Sequence, residues 1–435
     1  MAGDRPSIAQ GVRTLIGALL FTLAYGTLGF WAHDRQYTQT FDLAEALRQT
    51  LSMFFTADNN GLEPTTRLVK LFADSIYWVG AITLLSSAWM LFRPVLFRRS
   101  PEVSERSQAT QIVTQYGASS LARFALLPDK SYYFSPSHKS VVAFVPKGRG
   151  AIALGDPIGP IEDREAAIAG FRVFCDRNDW HPAFYQTLPD QLDLYQKQGF
   201  QTVKIGEEAI VDLGKFTLQG KPGRNLRAAV NKFTKQGTQV VFYEPPIAND
   251  LLKELRQISN EWLQHMSGSE KQFSLGWFDD DYLRECEIAV VETEQGQRIA
   301  FANVVPEYQL NDITIDLMRH RADVERGAMD FLFISLFQHF QQKGFDGFNL
   351  GLSALSGVGD APNDNRLEKG LHYLSAHRER FYGFQGLHAY KDKFHPRWEA
   401  RYLVYPRLSA LPDVIVALIR ADSGDRLLDY FKPGA

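Results

Sequence analysis

The chain has 435 residues, 45% of them apolar and 22% charged, with a formal net charge of -3. That length holds two or three domains, and the near-neutral balance excludes a chain that is basic throughout, so a polyanion partner would need a local basic surface. The two cysteines, Cys175 and Cys286, form neither a disulfide framework nor a zinc spacing and suit small core hydrophobes in a reducing compartment.

Residues 14–32 carry no charge, and neither do residues 75–92. At about 1.5 Å per residue each run reaches roughly 27–29 Å, the thickness of a hydrocarbon core. Trp31, Tyr77, Trp78 and Trp89 lie near their ends, where aromatic belts form. The pattern predicts a two-span membrane anchor over residues 1–100. Arg5 and Arg13 precede the first run, and Arg93, Arg98, Arg99 and Arg106 follow the second. Both termini are therefore expected in the cytoplasm. Between the runs, Leu43, Leu47, Leu51 and Phe54 recur at helical spacing and predict a helix on the outer membrane surface.

Residues 101–121 read as a linking helix, followed by alternating strand and helix patterns. Strands are expected at 140–146, 150–154, 182–186 and 203–213, with helices at 165–177 and 191–198. The cycle repeats with a helix at 250–266, strands at 288–292, 299–305 and 312–318, and an apolar helix at 329–343. A strand at 347–352, a helix at 367–377 and a strand at 401–405 complete it. Two mixed α/β units of similar order imply a tandem arrangement, with a first domain at 101–213, a second at 214–408 and a helical tail at 409–435. The run QLDLYQKQGFQTVKIG resembles the closing segment of the N-acetyltransferase (GNAT-type) fold. In the second half the loop at 321–327 departs from that fold's acyl-CoA pattern, holding one glycine, Gly327. A CoA thioester donor is disfavoured, and no cofactor is expected.

Three polar features stand out. Residues 223–237, GRNLRAAVNKFTKQG, read as a helix with Arg224, Arg227, Asn231 and Lys235 on one face and Leu226, Ala229, Val230 and Phe233 on the other. It carries no acid, so its face is either solvated or made for a polyanion such as tRNA or anionic lipid. The strand at 312–318 alternates, placing Asp316 and Met318 on one face, and Arg319 follows at its end. Asp316 with Arg319 is either a structural ion pair or part of a ligand site. Lys391, Lys393, His395, Arg397 and Arg401 interleave with aromatics near the C-terminal end, a pattern for phosphates and bases or for an ordinary basic surface.

Several separated stretches closely resemble the phosphatidylglycerol lysyltransferases, also called the multiple peptide resistance factor family. They include RPVLFRR, FALLPDKSYYFS, ALGDPIGP, RNLRAAVNKF, FSLGWFDDDYL, AFANVVPEY, IDLMRHRADVERGAMDFLF, FNLGLSALS and RFYGFQGLHAYKDKFHPRWEARYLVYP, across roughly residues 93–405. The resemblance implies tandem acetyltransferase-like folds that move lysine or alanine from aminoacyl-tRNA to phosphatidylglycerol at the cytoplasmic membrane face. It also implies roles. Asp316 and Arg319 of the D-L-M-R motif and a late lysine, Lys391 ahead of Lys393, serve activity. Ser274, Asn349 and Ser353 line the same cavity. Apart from the resemblance, the acid-free face with Arg224, Arg227 and Lys235 suits steering the tRNA. Asp279, Asp280 and Asp281 read a lysyl side chain, cap a helix or form a solvated turn. Only two spans precede the soluble part, against many in full-length members, so a tether is expected, with a separate flippase as a possible partner. The rival readings are an aminoacyltransferase of peptidoglycan precursors, an acyl-CoA N-acyltransferase, which the loop at 321–327 disfavours, and an inactive, membrane-tethered module that binds tRNA or lipid.

Overall fold

The computed structural model describes residues 5–32, 42–55, scattered positions from 66 to 82, and residues 101–221, 223–265, 270–359 and 382–425. The chain forms two compact units, residues 1–100 and 101–435.

In the first unit, helix α1 (Arg5–Ala32) takes in the whole first uncharged run. Helix α2 (Leu43–Phe55) turns Ala46, Thr50 and Met53 inward, while Leu43, Leu47 and Leu51 form an exposed stripe. Gly26 lets the two helices approach, since a Cβ there would collide with Thr50. The second uncharged run lies mostly outside the described residues. Among the described residues no helix is long and apolar enough to cross a membrane. The expectation of two spanning helices therefore finds no support there.

The second unit is a mixed α/β fold, as the alternating patterns predict. Its helices are α3 (Val103–Tyr116), α4 (Ile161–Arg177), α5 (Leu192–Lys197), α6 (Arg224–Lys235), α7 (Asn249–His265), α8 (Asp280–Arg284), α9 (Ala328–Gln342), α10 (Tyr382–Asp392) and α11 (Leu411–Asp422). Its strands are β1 (Ser131–Phe134), β2 (Val141–Lys147), β3 (Gly150–Leu154), β4 (His181–Thr187), β5 (Gln201–Asp212), β6 (Gln239–Tyr243), β7 (Ile288–Glu292), β8 (Arg298–Pro306), β9 (Asp312–His320), β10 (Gly347–Ala354) and β11 (Arg397–Tyr405). They form one 11-stranded sheet in the order β1-β2-β3-β4-β11-β5-β10-β9-β8-β7-β6.

That order encodes a repeat. Each half has an antiparallel run ending in one parallel pair joined by a helix, β3–α4–β4 in the first and β9–α9–β10 in the second. The closing strands are exchanged: β11 lies between β4 and β5, and β5 pairs with β10. The halves thus share one sheet. On one face a single apolar layer crosses both halves, from Ile152 and Ala183 to Leu255, Ile258, Phe301 and Leu317. On the other face, α4 lays Phe171 on Phe144 of β2 and Phe184 of β4, while α6 and α9 cover Ala302, Ile313 and Phe348. Cys175 and Cys286 are buried and unpaired, as small core residues are. The helix expected at 367–377 lies outside the described residues, and β1, β6 and α10 are elements that pattern reading misses.

Candidate active site

The parallel pair of the second half does not stay paired. Strands β9 and β10 match only from Gly347↔Asp312 to Asn349↔Thr314. Beyond that point β9 continues on β8 as far as His320, and β10 continues on β5 as far as Ala354. The two strands part, and a cleft opens between them. In the first half the equivalent pair stays closed through Leu154↔Tyr185, extended by Gly155 N–H donating to Tyr185 O at 2.8 Å.

A bulge sets what faces this cleft. Asn303 on β8 stands opposite two residues of β9, Asp316 and Leu317, and its Oδ1 accepts the Leu317 N–H at 2.8 Å. Simple alternation would give Asp316 the face of Met318 and put Arg319 on the other. With the extra residue the register flips. Met318 packs with the α9 side, while Leu317 belongs to the opposite layer, toward which Asp316 and Arg319 both turn. The expected pairing of Asp316 with Met318 on one face is thus corrected, because alternation cannot anticipate a bulge.

Asp316 is held from two sides: Gly276 N–H donates to Oδ1 at 2.8 Å and Tyr282 Oη–H donates to Oδ2 at 2.9 Å. Burial pushes its carboxyl up to about 6, opposed by those two bonds and by the Arg319 charge. Gly276 is required there, since a Cβ would run into Asp316 Oδ2 and lie 3.0 Å from Tyr282. Arg319, 3% exposed, donates to Ser259 on α7 and to Glu270, and its guanidinium lies 5.3 Å from the Trp262 ring. Glu270 also accepts Phe278 N–H at 2.9 Å. Strand β9 therefore fastens the loop from Glu270 to Asp279 at two points, and Ser274 sits half-buried between them. The ion pair of Arg319 is made with Glu270. Asp279 caps α8 by accepting Tyr282 N–H at 2.9 Å, and Asp280 pairs with Arg256.

On the β10 side, Lys391 Nζ donates to the carbonyls of Gly351 and Leu352 at 2.9 and 3.0 Å. Burial lowers its ammonium to about 8. Asn349 is buried where the strands separate; its Oδ1 accepts Gly351 N–H at 2.8 Å and its carbonyl accepts the Thr314 hydroxyl at 3.0 Å. Ser353 is fully buried, and its Oγ has no partner among the described residues.

The other expected residues are placed differently. Lys393 pairs with Asp330 and lies 3.6 Å from the Tyr390 ring centre. Arg397 and Arg401 are held by Asp312, Glu399 and Glu208. Helix α6 matches the expected basic helix, with Leu226 and Phe233 buried. Arg224 and Lys235 are exposed. Arg227 instead donates to the carbonyls of Leu218 and Gly220, and Lys232 pairs with Glu325 at 2.6 Å. Gly327, in a left-handed turn at φ 98°, opens α9, and a Cβ there would meet Phe233 and Ala229 of α6 at ordinary contact distance. Sequence reasoning missed Gly276, Tyr282, Glu270 and Ser259. The first two lie inside the quoted FSLGWFDDDYL stretch, whereas Glu270 and Ser259 carry no local signal.

A family model for the C-terminal part of phosphatidylglycerol lysyltransferase matches residues 110–405. The chain belongs to that family. Phosphatidylglycerol lysyltransferase of Bacillus subtilis (strain 168) is 35% identical over 334 residues, covering 76% of this chain and 39% of that protein. The Staphylococcus haemolyticus protein of the same name is 32% identical over 375 residues, covering 86% and 43%. The chain thus spans about two fifths of these relatives. Among solved structures, L-PGS from Bacillus licheniformis superposes with a TM-score of 0.67 at 34% identity, covering 76% of this chain and 99% of that one. The C-terminal domain of a lysylphosphatidylglycerol synthetase from Agrobacterium fabrum gives 0.66 at 35% identity, covering 74% and 97%.

Proposed function

We propose that this chain transfers an amino acid, lysine or alanine, from aminoacyl-tRNA to phosphatidylglycerol. The observation that carries the reading is the β9–β10 cleft, flanked by a carboxyl near 6 and an ammonium near 8, in a chain of this family.

The chemistry exchanges one ester for another. A glycerol hydroxyl of the lipid attacks the aminoacyl carbonyl, a tetrahedral oxyanion forms, and the ribose oxygen of the tRNA leaves. No ATP is required, and much of the rate comes from holding hydroxyl and carbonyl in contact. Asp316, ionised above about pH 6, is suited to take the hydroxyl proton or to hold the α-ammonium. Lys391 has three N–H donors, and two are given to Gly351 and Leu352. Its third suits a phosphate or the developing oxyanion. Arg319 is engaged by Ser259 and Glu270, so its part in this reading is to hold the Glu270–Asp279 loop against Asp316. Arg224 and Lys235 supply exposed charge for the tRNA backbone.

A membrane location accompanies the reading. Leu20, Phe21, Leu28 and Trp31 of α1 and the Leu43–Leu47–Leu51 stripe of α2 are exposed apolar surface, which suits lipid. It would keep the site at the cytoplasmic face beside its acceptor, with any movement of the product across the bilayer left to a separate flippase.

The test is expression in a host without aminoacylated lipids, followed by mass spectrometry of the extracted lipids. An aminoacyl-phosphatidylglycerol is expected, and its mass identifies the amino acid. Its absence, with folded protein and charged tRNA present, overturns the reading.

A further inference from the structure

Asn303 is a polar residue in an apolar layer. Its β8 neighbours on the same face, Phe301 and Val305, belong to the core, and Asn303 is fully buried. An amide there is costly unless its polar atoms are bonded, and they are. Leu317 N–H can only donate, so the amide oxygen of Asn303 must face it, at 2.8 Å. That fixes the other arm. Nδ2 donates to Tyr282 Oη at 3.3 Å and to Cys286 Sγ at 3.6 Å, and the Cys286 thiol donates in turn to the Tyr282 carbonyl at 3.4 Å. The Tyr282 oxygen accepts from a nitrogen that can only donate, so its own proton goes to Asp316 Oδ2 at 2.9 Å. Gly276 N–H meets Oδ1. The peptide bonded by Asn303 Oδ1 is the one that joins Asp316 to Leu317. Asn303 therefore holds Asp316 at its backbone and, through Tyr282, at its carboxyl.

We propose that Asn303 is a positioning residue for the transfer: it fixes the Asp316 backbone at the bulge and aims the Tyr282 hydroxyl so that Asp316 meets the substrate as an ionised acceptor of set orientation. This rests on the function proposed above and holds whether Asp316 takes the hydroxyl proton or binds the α-ammonium. An ionised carboxyl accepts at about four sites; Gly276 and Tyr282 take one on each oxygen, and the others are left for substrate. Asn303 acts only through protein groups, and Cys286, a small core residue in sequence, accepts the second amide proton and so keeps the amide from turning.

The experiment uses the full chain, Asn303→Thr, Tyr282→Phe and the double variant. Thr keeps an oxygen for Leu317 N–H but has no arm for Tyr282, and Phe removes the hydroxyl itself. Neither changes a charge. Burial pushes the Tyr282 hydroxyl and the Cys286 thiol up, while Arg319 and Glu270 beside Asp316 and Arg123 over the Tyr282 ring stay in place. Transfer to phosphatidylglycerol vesicles from lysyl-tRNA and alanyl-tRNA is followed from about pH 5 to 9, since kcat/KM against pH gives the acid limb of the free protein. Losing a hydrogen bond to an ionised carboxyl should move that limb up by about one pH unit in Tyr282→Phe and by roughly half as much in Asn303→Thr. In the double variant Asn303→Thr should add nothing. A merely structural Asn303 would lower activity alike at every pH and move no limb. Urea unfolding at several pH values follows Asp316 without the reaction: the loss of stability as pH rises should extend to higher pH in both single variants. A limb unmoved in Asn303→Thr, one moved equally with and without the Tyr282 hydroxyl, or an unextended loss of stability overturns the inference. Where Asn303→Thr does not fold, Asn303→Ser carries the same expectations, and an unmoved limb in Tyr282→Phe overturns the inference without either. Those failures in an active protein leave the functional reading standing. A wild type inactive with both donors sinks that reading and this inference with it.

Discussion

Replacing Asp316 by Asn should make the protein more stable and inactive at once. In the fold the Asp316 carboxyl titrates at about 6 against an ordinary 3.8. Two units correspond to about 3 kcal/mol, an upper bound that assumes the Asn amide fits as well. The fit is favourable: Asn Oδ1 can accept from Gly276 N–H while its amide donates to the Tyr282 oxygen. The sign follows from proton counting. Between about pH 4 and 6 the unfolded chain has released this proton and the native state still holds it, so wild-type stability falls as pH rises and stays reduced above about 6. The Asn variant lacks that fall. The two proteins should be nearly equal near pH 4 and differ by up to about 3 kcal/mol at pH 7. Urea unfolding at several pH values measures the difference, and lipid extraction measures activity. A stability difference independent of pH, or an active variant, refutes the reasoning.

Other perturbations test the neighbouring parts. Gly276→Ala places a methyl against Asp316 Oδ2, and overpacking of this kind costs about 1–3 kcal/mol. Displacing the carboxylate should lower kcat about 100-fold, read by single-turnover kinetics. With Asp316 near 6 and Lys391 near 8, the pH–rate profile should be bell-shaped: one limb rises as the carboxyl ionises and the other falls as the ammonium is lost. A flat profile from pH 5 to about 9 counts against both assignments. Arg224→Ala with Lys235→Ala should weaken tRNA binding and reduce its log–log salt slope by about two, with little change in thermal stability. An unchanged slope would remove α6 from the tRNA surface.

The sequence by itself determined what short-range periodicity can carry. Helix α6 was legible because its 3.6-residue pattern puts Leu226 and Phe233 on one side and its charges on the other. Strands β2, β3, β7 and β8 were legible from apolar runs and alternation, and the family was legible from separated motifs spread over most of the soluble part. Asp316, Arg319, Asn349, Ser353 and Lys391 are legible from motifs, but only as positions without partners. The tertiary structure decided the partners. The bulge opposite Asn303 turns Asp316 and Arg319 to one face, which alternation forbids. The exchange of β5 and β11 joins the halves, and the parting of β9 from β10 opens the cleft. Each depends on pairing between residues far apart along the chain, and local pattern holds no record of it.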